Sequence, residues 1–327
     1  MAYTATTDVA GFLPNYYSKV FLERLVPGPR MLQFCTMKPL PKNQGKVVYF
    51  PRMVVSSTTV SAYKLAEGTV ITPEKIDDAQ VSATIEQFGN SKAIWDLTEL
   101  TAIDSTVEET VKEIADQASN IIDIRTMEGG YGTSATPYGG SGFSMFAFNT
   151  VGAAENGCIA MSVVYAAVGA TEFRMKAATV RAAVKKLMGR NVRPLDDGFY
   201  ALVCHSDTAS RLQADSEWQT AYQYTDPENL RKGVAGTYAG AKIVIDNNIR
   251  TSANGSNGDT IYYSFLLGRG ALGATELDGG IKTYTKKSGE QDTYNPINQF
   301  ITFGWKANFV AKHLNLSAAL VVLTADA

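Results

Sequence analysis

Histidine, cysteine and charge are all scarce in this chain, and each shortage closes off a class of function. The 327 residues include only two histidines, His205 and His313, and three cysteines, Cys35, Cys158 and Cys204. The cysteines are odd in number, far apart and without Cys-x-x-Cys spacing. That excludes a disulfide framework and a thiolate zinc site, and fits a reducing compartment. Charged residues make up 19% of the chain, against about 25% in an ordinary globular domain; such a surface suits a protein largely covered by partners. With a formal net charge of -2, the chain is not built to hold nucleic acid mainly by charge. The opening MAYTATTDVAGF has no basic segment followed by an apolar run, so it does not read as a signal peptide. The longest apolar stretch, residues 317–323, is too short to span a bilayer. The expectation is a cytoplasmic product.

Catalytic constellations are missing too. Cys204, His205, Ser206 and Asp207 stand side by side, but strand neighbours point to opposite faces, so this run cannot form a nucleophile–base–orienter triad. His205 is expected at a strand end beside a helix cap, and His313 has no cysteine or acid at ligand spacing. Gly268-Arg269-Gly270-Ala271-Leu272-Gly273 matches G-x-G-x-x-G, which holds a pyrophosphate only where a helix opens at the third glycine. The following ATELDGG breaks at once, leaving a nucleotide-binding enzyme as a remote alternative. No catalytic residue, cofactor or metal ligand is assigned.

What is present is a series of extended and rod-like segments. Residues 14–25 read as a short amphipathic helix, with Tyr17, Val20, Phe21 and Leu25 on one side and Pro27-Gly28-Pro29 as its stop. It would either form an arm on a neighbour or pack on its own domain. Lys46-Val47-Val48-Tyr49-Phe50 reads as a strand and residues 80–88 as its return, with a polar stretch between them. An isolated two-stranded hairpin of this length is marginal in water. It must therefore lie on its own sheet or on a neighbour. Ser105 with Glu108 forms a capping box, opening a long helix whose Val107, Val111, Ile114, Ala118, Ile121 and Arg125 make one stripe. Gly129 and Gly130 are read as its end. Residues 129–142 form a glycine-rich seam. A helix over 171–188 buries Phe173, Ala177, Val180, Val184 and Leu187 and carries a basic face of Arg174, Arg181 and Lys185. That face suits DNA phosphates, an acidic neighbour or simply water. Strands follow at 198–204, 241–245, 261–267, 280–285 and 300–309, with a short helix at 207–213. Residues 314–323 are expected to close the first lobe's sheet.

This order, together with GKVVYFPRM, AEGTVITPEKI, QFGNSKAIWDLTEL and NPINQFITFGWKANFVAKHLNL, resembles the major capsid proteins of tailed bacteriophages, in particular those of N-four-type short-tailed phages. The resemblance covers nearly the whole chain and implies an α+β, Hong Kong 97-type fold. Residues 1–40 would be an N-terminal arm and 41–95 an extended loop. Residues 96–164 and 296–327 would form a peripheral domain with a spine helix at 106–128, and 165–295 an axial domain. It implies an icosahedral shell of pentamers and hexamers around double-stranded DNA bound without sequence specificity, in the virion and away from any membrane. A portal and a separate scaffolding protein would be partners, since the chain opens directly on its arm. Expected subunit contacts are Tyr17, Phe21, Val54, Tyr63, Lys64, Glu67, Glu74 and Asp77, with Arg174, Arg181 and Lys185 facing inward. Some relatives carry a lysine–asparagine crosslink; Lys64 lies in the loop, but no partner asparagine is marked and that chemistry is not carried over. The same fold would also serve an encapsulin-like cargo compartment.

Overall fold

The computed structural model describes residues 20–21, 23–24, 29–53, 64, 78–101, 106–131, 144–147, 174–225, 236–253, 259–286 and 299–326. Among these, two sheets and one long helix organise the chain. The first sheet has four strands in the order β1 (Cys35–Met37), β11 (Leu272–Lys286), β12 (Phe300–His313) and β4 (Glu86–Trp95). The short helix α1 (Asp96–Thr101) continues directly from β4. The spine helix α2 (Thr106–Tyr131) lies along β12. Its 26 residues make a rod of about 39 Å, close to the roughly 45 Å of the fourteen-residue β12 at the strand rise.

The helix buries Val107, Val111, Ile114, Ala115, Ala118 and Ile122, the i, i+4, i+7, i+8 spacing of one helical face. Its first half packs on Ile94, Phe303, Trp305 and Ala307. Farther along, Ile122 meets Ala274, Phe309 and Ala311. The expected stripe thus holds through Ala118 and then turns to Ile122, leaving Ile121 half-buried. Arg125 sits on the flank, its guanidinium 5.5 Å from the Phe88 ring and paired with Glu86 and Glu128.

One sequence reading is corrected on this helix. Gly129 and Gly130 do not end it; it runs on to Tyr131. A Cβ on Gly129 would stand 2.5 Å from the Ala311 carbonyl oxygen, so this glycine allows helix and strand backbones to touch. The Ser105 cap and the seam from 132 to 142 lie outside the described residues.

The second sheet runs β5 (Ser144–Ala147), β13 (Ala319–Asp326), β10 (Thr260–Leu267), β6 (Tyr200–Cys204), β8 (Ala241–Ile245) and β7 (Thr237–Tyr238), with β9 (Thr251–Ser252) also on β10. Alternation sorts its side chains onto two faces. Leu202, Cys204, Leu266, Leu320 and Val322 pack under α3 (Ala177–Gly189), α4 (Ser206–Gln213) and α5 (Ser216–Thr225) through Val180, Val184, Leu187, Leu212 and Trp218. On the other face Ala201, Val203, Tyr263, Phe265, Val321 and Leu323 pack on Met31 and on Met127 from the end of the spine helix. The C-terminal strand therefore does not close the first lobe's sheet. Each residue of β13 is paired antiparallel with β10, and its buried apolar run, residues 319–323, is accommodated because both faces of this sheet are covered.

Candidate interaction surfaces

The hairpin of β2 (Val47–Met53) and β3 (Asp78–Thr84) is a sheet of its own, paired over seven residues from Val47↔Thr84 to Met53↔Asp78. Its inner face, Val48, Phe50, Val81 and Ala83, rests with Ile85 on Val310 of β12, beside Leu40, Leu277 and Leu314. Lys38 Nζ donates to the Tyr49 carbonyl and Lys312 Nζ to that of Ser82, each at 2.8 Å. Val47 and Tyr49 on the outer face are 38% and 56% exposed. The return strand read at 80–88 is in fact two strands. Residues 78–84 pair with β2, and after Ile85 the chain enters β4 on the edge of the four-stranded sheet.

Val54, Tyr63, Glu67, Glu74 and Asp77 lie in the segment joining β2 to β3, outside the described residues, as does Tyr17; Lys64 in that segment is exposed. Phe21 is committed within its own chain: it is 2% exposed and packs against α2 and Phe303. Nearby, Arg24 grips Asp116 of α2 through two hydrogen bonds of 2.8 Å, and the guanidinium holds the Asp116 carboxyl below its ordinary pKa. This portion of the arm is therefore docked on the spine helix of the same chain.

The basic face is smaller than its sequence suggests. The helix begins at Ala177, not at 171, so Arg174 precedes it and does not share a face with Arg181 and Lys185. Arg181 is exposed and Lys185 lies on the same outer side. Arg181 is paired with Glu217 of α5, and that carboxylate raises its pKa. Phe173, read as inward on this helix, lies outside the described residues.

A surface the sequence reading missed sits at one end of the four-stranded sheet. Trp95 meets Phe300 edge-on at 5.6 Å, and Trp95, Leu97 and Leu100 are 54%, 67% and 82% exposed. The available signal was the WDLTEL phrase: α1 is only six residues long and too short to bury two leucines.

The motifs with catalytic overtones are structural here. His205 is the N-cap of α4, its Nδ1 accepting from the Asp207 N–H at 3.2 Å, where imidazole takes the place of the usual cap hydroxyl or carboxylate. His313 is buried against the Gly129 carbonyl at 3.2 Å, and burial lowers its pKa. The glycine loop joins β10 to β11. Its third glycine lies within a strand, so no helix N-terminus faces an anion, and a Cβ on Gly268 would collide with Val192 Cγ1. This removes the geometry that a dinucleotide enzyme would need. Among the described residues no cluster of three or more potential metal ligands occurs, and no helix is long and apolar enough to cross a membrane.

A spine helix along a long-stranded sheet, a detached hairpin and a second lobe with a covered central sheet together define the Hong Kong 97-type fold of phage capsid proteins. No protein-family model matches the chain, and no curated protein does. Solved structures do. The capsid of cyanophage Pam1 is 15% identical, with a TM-score of 0.64 and 92% of each chain covered. The capsid of Ralstonia phage GP4 is 12% identical, with a TM-score of 0.63, covering 90% of this chain and 91% of that one. The capsid of cyanophage P-SCSP1u is 16% identical, with a TM-score of 0.60, covering 90% and 87%.

Proposed function

We propose that this chain is a major capsid protein, a structural and non-enzymatic subunit that assembles with copies of itself into the icosahedral shell of a tailed phage. The observation that carries this reading is the superposition of about nine-tenths of the chain on phage capsid subunits. In a partial match the hairpin or one lobe would fall outside it. The local physics supports the reading. A two-stranded sheet whose described residues bury one face and expose the other needs further surface to lie on, and exposed Trp95, Leu97 and Leu100 need cover.

In this proposal the chain before β1 forms the arm, the β2–β3 hairpin with the segment joining its strands the extended loop, α2 with the four-stranded sheet the peripheral lobe, and the seven-stranded sheet with its helices the axial lobe. Tyr17, Val54, Tyr63, Lys64, Glu67, Glu74 and Asp77 reach neighbouring copies, and Arg181 and Lys185 face inward with Arg174 nearby. The shell encloses double-stranded DNA by volume and counterions, which a near-neutral subunit permits. A scaffolding protein and a portal act as separate partners, and the phrases quoted above support a kinship with N-four-type capsids.

Electron microscopy of the purified protein, expressed with and without its candidate scaffold, tests the proposal. Closed icosahedral shells are expected. A monodisperse small oligomer under both conditions would refute it, and native particles filled with a cargo protein and free of nucleic acid would assign the same fold to a cargo compartment.

A further inference from the structure

Where the spine helix meets the seven-stranded lobe, two carboxyl groups are buried together. Asp123 of α2 is 1% exposed, and Asp246, one residue beyond β8, is 3% exposed; Asn248 bonds to both carboxyl groups, to Asp123 through its side chain and to Asp246 through its backbone. Asp123 Oδ1 accepts from the Met31 N–H at 2.9 Å, and its Oδ2 from Asn248 Nδ2 at 3.2 Å. Asp246 Oδ1 accepts from the Asn248 N–H at 3.0 Å. Asp246 Oδ2 is buried without any partner of this kind. Among the described residues neither carboxylate has an ion pair.

The surrounding groups come from every element packed there. The helix contributes Asn120, whose Oδ1 is 3.4 Å from Asn248 Nδ2, and Tyr131, whose hydroxyl donates to the Tyr263 carbonyl at 2.7 Å. The arm contributes Arg30, which donates to the Ile245 carbonyl, and Cys35, whose thiol is pushed up to about 12 by burial and by the Asp123 charge. From the axial lobe comes Arg250, its guanidinium 5.9 Å from the Tyr263 ring.

Two like charges buried side by side cannot both persist without a neutralising partner. A calcium ion would take about six to eight oxygen ligands. Here three of the four carboxylate oxygens already accept N–H groups, which would repel a cation, and one oxygen is open. That is room for one hydrogen.

We propose that Asp123 keeps its proton in the folded chain and donates it to the unpartnered Asp246 Oδ2, and that this O–H···O bridge is a lock holding the arm at Met31, the spine helix and the seven-stranded lobe together. The lock is closed in acid and opens when the proton is lost to solvent. Opening leaves two facing carboxylates at the seam where all three segments meet. Burial, reinforced by Asp246, raises the Asp123 pKa to about 7 from its ordinary 3.8. The sign follows: above 3.8 the folded chain keeps a proton that the unfolded chain releases, so the stabilisation is complete at low pH and is lost as pH rises through about 7. The carboxylates of Asp116 and Glu109 titrate in the opposite sense, with lowered pKa values, and so lose their contribution only in acid. The lock does not depend on the capsid reading, since it joins parts of one chain.

Thermal and denaturant unfolding of the full-length protein between about pH 5 and pH 8.5 tests it, with Asp246→Asn as the partner variant. The introduced amide donates permanently where the proton would sit. The wild-type unfolding constant should rise by up to about tenfold per pH unit on approaching pH 7, the slope for one proton, while D246N should be nearly flat. Parallel slopes in the two proteins would overturn the proposal. So would a wild-type protein stabilised at about pH 8 by calcium after chelator treatment, with D246N unmoved, because a cation would then be the neutralising group. If D246N does not fold, infrared spectroscopy of the wild type decides. A buried protonated-carboxyl band at about pH 6 that fades by about pH 8.5 supports the proton bridge, and its absence at the lower pH rules it out.

Discussion

At Gly129 the spine helix comes so near β12 that any side chain would enter the Ala311 carbonyl. Gly129→Ala should therefore lower the unfolding free energy by about 1–3 kcal/mol, the usual penalty of overpacking. Gly189, at the end of α3, has open space around its would-be Cβ. Gly189→Ala should be neutral or stabilising by up to about 1 kcal/mol, since alanine is the better helix former. Denaturant titration of the two variants side by side checks the contrast. The cysteines yield a second expectation at this scale. Cys204 is fully buried, which pushes its thiol up to about 12. Labelling by a thiol reagent at about pH 8 should therefore wait on unfolding, and fast native labelling of Cys204 would contradict its place in the core.

The spine helix and the hairpin are opposite kinds of element. The helix is stabilised within the chain: Ile114, 2% exposed, sits amid the cluster of Val111, Phe303 and Trp305. Ile114→Ala should cost about 2–5 kcal/mol, read as a lowered melting temperature of the isolated subunit. Among its described residues the hairpin buries only its inner face. Deleting residues 58–77 should leave the subunit's own melting temperature nearly unchanged while shells become fewer or less heat-stable. Shells formed in normal yield and with normal stability would show that the loop is not a clamp between copies. Salt bridges such as Arg181–Glu217, 57% and 43% exposed, carry little weight in this balance because solvent screens them.

At the scale of the whole molecule, the low charge and the two covered sheets suit a subunit whose remaining surface meets other subunits. The near-neutral total predicts that the free subunit binds duplex DNA weakly and with a shallow dependence on salt, measurable by titration at several ionic strengths. A steep slope would indicate many phosphate contacts and would make the face of Arg181 and Lys185 a true binding surface. The proton bridging Asp123 and Asp246 acts at the same scale, because it couples the arm, the helix and the axial lobe in one equilibrium.

The sequence alone determined the elements whose signals are local. The apolar period of three to four residues marked α2, the strand-forming runs at 46–50 and 80–88 marked the hairpin, and continuous apolar runs marked β6, β10 and β13. The failed helix after Gly273 already spoke against a nucleotide site. Only the tertiary structure decided where those pieces went. It placed β13 beside β10, divided the hairpin's return strand at Ile85, carried α2 through two glycines and drew Phe21 into its own chain. Each of these depends on partners distant in sequence, and local propensity is silent about which backbone a given residue will touch. The pairing of Asp123 with Asp246 is the extreme case: two carboxylates from opposite lobes share one buried seam, and nothing in either neighbourhood of the sequence announces the other.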